Sequence, residues 1–106
     1  MTTEIWGLPT CDSCRKARAA LPGASLRDIR ARPLTGAEIA DLLARFGDRA
    51  VNRASATWRG LSEAERALPP AELLARHPAL MKRPVILRDG VLHLGLAGLS
   101  AATDPG

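Results

Sequence analysis

Both cysteines of this 106-residue chain fall in one stretch, Cys11-Asp12-Ser13-Cys14. The residues before it, Thr3-Glu4-Ile5-Trp6-Gly7, mix β-branched and aromatic side chains and read as a short strand, about Glu4 to Gly7. The residues after it are good helix formers, about Asp12 to Leu21, closed by Pro22-Gly23. The Cys-x-x-Cys therefore stands where a strand gives way to a helix. Such a terminus carries unpaired N–H groups and the positive end of the helix dipole, and a thiolate placed there is stabilised. A spacing of three sets the two thiols on one helical face, close enough to meet. The pattern predicts Cys11 as the more reactive thiol, Cys14 as the less exposed one, and a reversible disulfide between them.

Two blander readings compete, an inert buried pair and half of a zinc site. Tetrahedral zinc needs two more ligands, and the chain offers only His77 and His93, far apart and outside any ligand-spacing motif. No metal and no bound cofactor are expected. Two cysteines with no others to build a framework suit a reducing cytosol. There is no apolar run of about 18 residues such as a membrane crossing needs, and no charged-then-apolar leader, so a cytoplasmic monomer with no membrane contact is expected. The formal charge of +4 fits an anionic substrate, glutathione or an acidic partner surface, and is too diffuse for nucleic acid. Trp6, Phe46 and Trp58 are the aromatics, too few to stack on bases; Trp6 and Trp58 read as packing residues.

Along the chain, a second strand is expected at about Ser25 to Ile29, which makes a βαβ unit with a parallel pair. Thr35 and Glu38 form a capping box for a helix over Gly36 to Phe46, whose Ile39, Leu42, Leu43 and Phe46 recur at helical spacing, with Gly47 as the stop. Residues Asp48 to Gly60 read as irregular or short-helical, anchored by Val51, Ala54 and Trp58. Short helices follow at Glu63 to Leu68, capped by Ser62, and at Ala71 to His77 after Pro69-Pro70. Val85 to Arg88 and Val91 to Leu94 flank Asp89-Gly90, a strong hairpin signal, and leave His93 half-exposed. A last helix spans Leu96 to Ala102, and the tail then frays. The chain reads as one domain over residues 1–106, a thioredoxin-like α/β fold. A four-stranded mixed sheet would have helices on both faces and a helical insert between strands two and three.

Four stretches together resemble the arsenate reductase (ArsC)/Spx family: Cys11 through Ala19, Asn52-Arg53 through Leu61, His77 through Ile86, and Val91 to Leu96. The resemblance spans about Glu4 to Ala102. It implies that Cys11 is the nucleophile, that Arg53 and Arg83 hold an oxyanion and the thiolate, and that Pro84 is a cis-proline beside the active cysteine. The expected trajectory brings Arg83 toward Cys11. Arg15, four residues after Cys11, is a further candidate for stabilising the thiolate and the substrate, with Lys16 beside it. A third family arginine falls near Gly95-Leu96, where this chain has none, so arsenate reduction is expected to be poor or absent. Cys14 is matched in Spx-type regulators and has no counterpart in the glutathione-coupled arsenate reductases.

The expected activity is that of a thiol-dependent reductase acting on a small anionic or thiol substrate. Cys14 or glutathione resolves the adduct, and glutathione or a thioredoxin or glutaredoxin couple supplies electrons. The alternative is an Spx-type redox-sensing adaptor that binds RNA polymerase without catalysis.

Overall fold

A computed structural model describes residues 2–103. In chain order the elements are β1 (Thr3–Gly7), α1 (Asp12–Ala20), β2 (Ser25–Asp28), α2 (Gly36–Phe46), α3 (Ala56–Arg59), α4 (Glu63–Arg66), α5 (Pro70–Arg76), β3 (Val85–Arg88), β4 (Val91–Leu94) and α6 (Gly95–Thr103), with 3₁₀ turns at Gly47–Ala50 and Pro78–Leu80. None of the helices among the described residues is long and apolar enough to cross a membrane. The expected fraying of the tail falls mainly outside the described residues. The chain divides into two compact units, Met1–Ile29 with Arg83–Gly106, and Arg30–Lys82.

The first unit holds the sheet, in the order β2-β1-β3-β4. β1 runs parallel to β2, with Ile5 opposite Leu26, and antiparallel to β3, with Ile5 opposite Ile86. Ile5 and Trp6 point to opposite faces and both are buried, as are Val85 and Ile86. The two central strands are thus buried on both sides at these positions, which is why each carries adjacent apolar residues, Ile5-Trp6 and Val85-Ile86, instead of a strict alternation. The mixed sheet, its β-α-β opening and its β-hairpin-α ending make the thioredoxin-like arrangement expected. The N–H of Ile29 donates to the Gly7 carbonyl at 3.0 Å, so the parallel pairing reaches one residue past β2 and carries Ile29 into the core. Arg27 lies across from Trp6 with its guanidinium 5.6 Å from the indole centre, a packing role for that tryptophan.

Asp89 and Gly90 both take positive φ, 50° and 82°, the geometry of a tight two-residue hairpin. Pairing then sets His93 opposite Ile86, and only 8% of the histidine is exposed. The half-exposed position expected for it is corrected: β4 is an edge strand, but α6 folds back onto it. Gly95, at φ 69°, turns the chain straight from β4 into α6 and starts that helix one residue earlier than expected. α6 also packs on β3 and α1.

The second unit is helical. Thr35 and Glu38 make both arms of the capping box, at 3.1 and 2.8 Å, and Gly47 ends α2 at φ 57°. Ile39 and Leu42 are buried, and α2 packs against α5, where Leu73 and Leu74 are buried. A bridge between Val51 and Met81 ties the middle of the unit to its last residues, with Lys82 N–H donating to the Ala50 carbonyl at 2.7 Å. Val51 anchors this stretch as expected, but Ala54 is exposed. Its N–H is taken by the Asn52 side chain at 3.1 Å in a local turn that leaves the methyl outside. α4 ends at Arg66, earlier than expected, because Pro69 and Pro70 bias the residues before them away from helix.

Candidate active site

β1 delivers the chain to Leu8, and Pro9-Thr10 turn it into α1. The Cys11 N–H donates to the Leu8 carbonyl at 3.2 Å, and the Arg15 N–H donates to the Cys11 carbonyl at 2.9 Å. Cys11 is therefore the N-cap of α1, in extended backbone, with its thiol over the first turn. It is half-buried. Cys14, one turn on, has no exposed surface. Both are free thiols.

The two thiols differ in acidity. Burial works against ionisation of Cys11. The Cys14 N–H, the Cys14 thiol, the Ser13 N–H and the Arg83 charge together outweigh it, and Cys11 lies below its ordinary value of 9.0. Burial pushes Cys14 up to about 11; its hydrogen bond to Cys11 adds to the rise, and the Leu8 N–H and Arg83 only partly oppose it. The Leu8 N–H reaches the Cys14 sulfur at 3.4 Å. On its other side that sulfur lies against the bare Cα of Gly7, where a Cβ would collide with it.

The Arg83–Pro84 peptide is cis, as the resemblance implies, and Pro84 is buried. Arg83 is half-buried, and its charge acts on both thiols. Beside it lies a cavity of about 250 Å³, between Ser13 and Lys16 of α1, Arg83-Pro84, and Gly95 to Ala97 at the head of α6. Lys16 and Arg83 flank it, and neither has a carboxylate partner among the described residues. The rest of the wall is largely apolar. Gly95 and Leu96, where the resemblance implies a third family arginine, contribute only uncharged wall.

The structure thus brings Cys11, Cys14, Arg83 and Pro84 together. Arg15 is exposed; its guanidinium is taken up by the Thr10 carbonyl and the Asp12 carboxylate, both at 3.1 Å. Arg53 belongs to the second unit, where it stands 3.6 Å from the Asp48 carboxylate and over Trp58, 5.2 Å from the ring centre. Arg66 lies 5.6 Å from the centre of the same ring. His77 Nε2 is 3.4 Å from the Glu65 carboxylate but lacks hydrogen-bond geometry, so the contact becomes an ion pair only when the imidazole is protonated. Among the described residues no cluster of His, Cys, Asp or Glu is placed to hold a metal. Sequence reasoning passed over Gly7 and Ser13. A glycine inside a strand is a sign of close approach by another group, and that sign was available for Gly7.

Comparison with known proteins covers almost the whole chain. The ArsC family pattern matches residues 6–98. A solved structure of a protein named YFFB has a TM-score of 0.85 at 30% identity, covering 95% of this chain and 97% of its own. An arsenate reductase (ArsC) related protein from Brucella melitensis has a TM-score of 0.73 at 31% identity, covering 95% of this chain and 93% of its own. The global transcriptional regulator Spx of Listeria innocua is 33% identical over 101 residues, covering 86% of this chain and 77% of Spx. With the family pattern matched across the sheet, the thiol pair and the cis-proline, the chain belongs to the ArsC family.

Proposed function

We propose that this chain is a cytoplasmic, monomeric thiol-dependent reductase whose nucleophile is Cys11. The observation that carries the reading is the placement of the two thiols, Cys11 half-buried at the N-cap of α1 and Cys14 fully buried one turn on, which favours the thiolate at Cys11 and the protonated thiol at Cys14. That is the division of labour an attacking and a reserve thiol need. The flanking cavity supports an anionic substrate, because Lys16 and Arg83 are there to meet one.

In the reaction the Cys11 thiolate attacks one sulfur of a mixed disulfide. The new S–S bond forms as the old one breaks, and the other sulfur leaves as a thiolate. Cys14 or glutathione then attacks the Cys11 adduct and releases the second thiol. Cys14 must first give up its proton, and the departing thiolate is the natural acceptor. Resolution by Cys14 leaves a Cys11–Cys14 disulfide, which two electrons from glutathione or a thioredoxin or glutaredoxin couple return to thiols. Arg83 holds the attacking thiolate. Arg53 would meet the substrate's charge only after leaving Asp48, and Arg15 after leaving Asp12.

Turnover assays test this with each electron donor against anionic mixed disulfides and oxyanions. Reduction of the disulfides is expected, with arsenate poor or inert because the Gly95-Leu96 wall carries no cation. A charge-assisted contact to an oxyanion is worth about 1.5–3 kcal/mol. Mild oxidation should also remove about two daltons from the chain, reversibly with dithiothreitol. A chain that turns over no disulfide with any donor does not fit this reading.

The likeness to Spx across 86% of the chain favours a second reading, a redox-sensing adaptor that binds RNA polymerase. Capture of polymerase by the reduced or oxidised protein, with no turnover, would establish it.

A further inference from the structure

Gly7 ends β1 in ordinary strand backbone, with none of the positive φ found at Gly47, Gly90 and Gly95. Conformation does not require glycine there; space does. A Cβ on Gly7 would run into the Cys14 sulfur, while the Cys14 Cβ would stand 3.4 Å away, an ordinary contact. The sulfur has little freedom to yield. Cys14 has no exposed surface, and the Leu8 N–H holds its sulfur at 3.4 Å.

We infer that Gly7 is a positioning residue for the reactive pair: its missing side chain is the seat of the Cys14 sulfur and keeps that sulfur in its place one helical turn from Cys11. The inference rests on reading Cys11 as the reactive thiol. A methyl at position 7 displaces the Cys14 thiol, strains its contact with the Leu8 N–H, and moves a group that favours the Cys11 thiolate. Cys11 then holds its proton to higher pH. Interior packing is dense enough that a single methyl is felt in this way.

Four proteins decide it: wild type, Gly7→Ala, Cys14→Ala, and the double variant. Two quantities are read, the pH profile of Cys11 alkylation by iodoacetamide, followed by peptide mass, and the thermal midpoint. Gly7→Ala is expected to move the profile to higher pH and slow alkylation at neutral pH by about threefold or more, and to lower the midpoint by several degrees. Cys14→Ala also moves the profile. Adding Gly7→Ala to it should move neither profile nor midpoint much further, since only the ordinary 3.4 Å contact remains. Equal effects of Gly7→Ala in both backgrounds, or none in either, would overturn the inference. Should Gly7→Ala fail to fold, a folded double variant supports the seat, and failure of both overturns it. A wild-type Cys11 that titrates as a free thiol sinks the reductase reading instead, and the midpoints still decide the seat.

Discussion

Cys14 lies fully buried one helical turn after the half-buried Cys11, and the influence of each on the other drives their acidities apart, raising that of Cys11 and lowering that of Cys14. The two thiols are neighbours because the helix places residues three apart on one face. Iodoacetamide at neutral pH should therefore modify Cys11 well before Cys14. Peptide mass after short exposure reads the order. Reaction at Cys14 first, or both thiols titrating near the ordinary 9.0, would remove Cys11 from its assigned role.

Alkaline pH should weaken the fold through Cys14. The native state holds that proton to about 11, whereas the unfolded chain releases it near the ordinary 9.0. Below the lower value both states are protonated and the contribution to stability is complete. Between the two the unfolded state binds fewer protons, so stability falls as pH rises. The loss across that window is at most about 3 kcal/mol. Cys11 acts in the opposite sense, but its part is complete by the time the window opens. Urea melts of wild type and Cys14→Ala from about pH 8 to about pH 11 measure the difference. Parallel curves would show that burial of Cys14 is not what holds its proton.

Removing the guanidinium of Arg83 should make Cys11 less acidic. Hydrogen bonds from Cys14 and Ser13 outrank this charge among the influences that favour the thiolate, so the effect of Arg83→Ala is modest, roughly threefold slower alkylation at neutral pH. Raised salt should mimic part of it in the wild type. An unchanged pH–rate profile would take Arg83 out of the site.

Thr35→Ala should destabilise the second unit by about 1 kcal/mol, because the capping box loses the arm to the Glu38 N–H and frees the Glu38 carboxylate from its return bond. Chemical denaturation reads the change. Thr35→Ser should recover most of it, and equal losses for the two substitutions would assign the effect to the methyl.

Much of the fold was legible because its signals are local. Thr35 and Glu38 announce a helix start, Gly47 its end, and Asp89-Gly90 a hairpin, each through the backbone geometry its own side chains impose. The site was legible at Cys11 and Cys14 for the same reason. Arg83 and Pro84 were found through resemblance alone, since an arginine before a proline carries no signal of its own. Two features were hidden because other segments create them. His93 looks like an edge residue until α6 covers β4. Lys16 becomes a cavity wall only when Arg83 and the head of α6 arrive opposite. Gly7 carried a sign, a glycine inside a strand, that did not name the Cys14 sulfur as the group approaching it. Ala54 failed in the opposite way: a small apolar residue is a weak indicator of burial, and one side-chain bond from Asn52 turned it outward.

The contact between Gly7 and Cys14 also orders the routes by which such a chain can change. A descendant that first acquires a side chain at position 7 meets a clash at once. One that first loses the sulfur at position 14 opens position 7 to alanine with little further effect. If Gly7 is the seat inferred above, the two positions form one coupled unit in which loss of the sulfur comes before gain of a side chain, and the cysteine returns only after the glycine does.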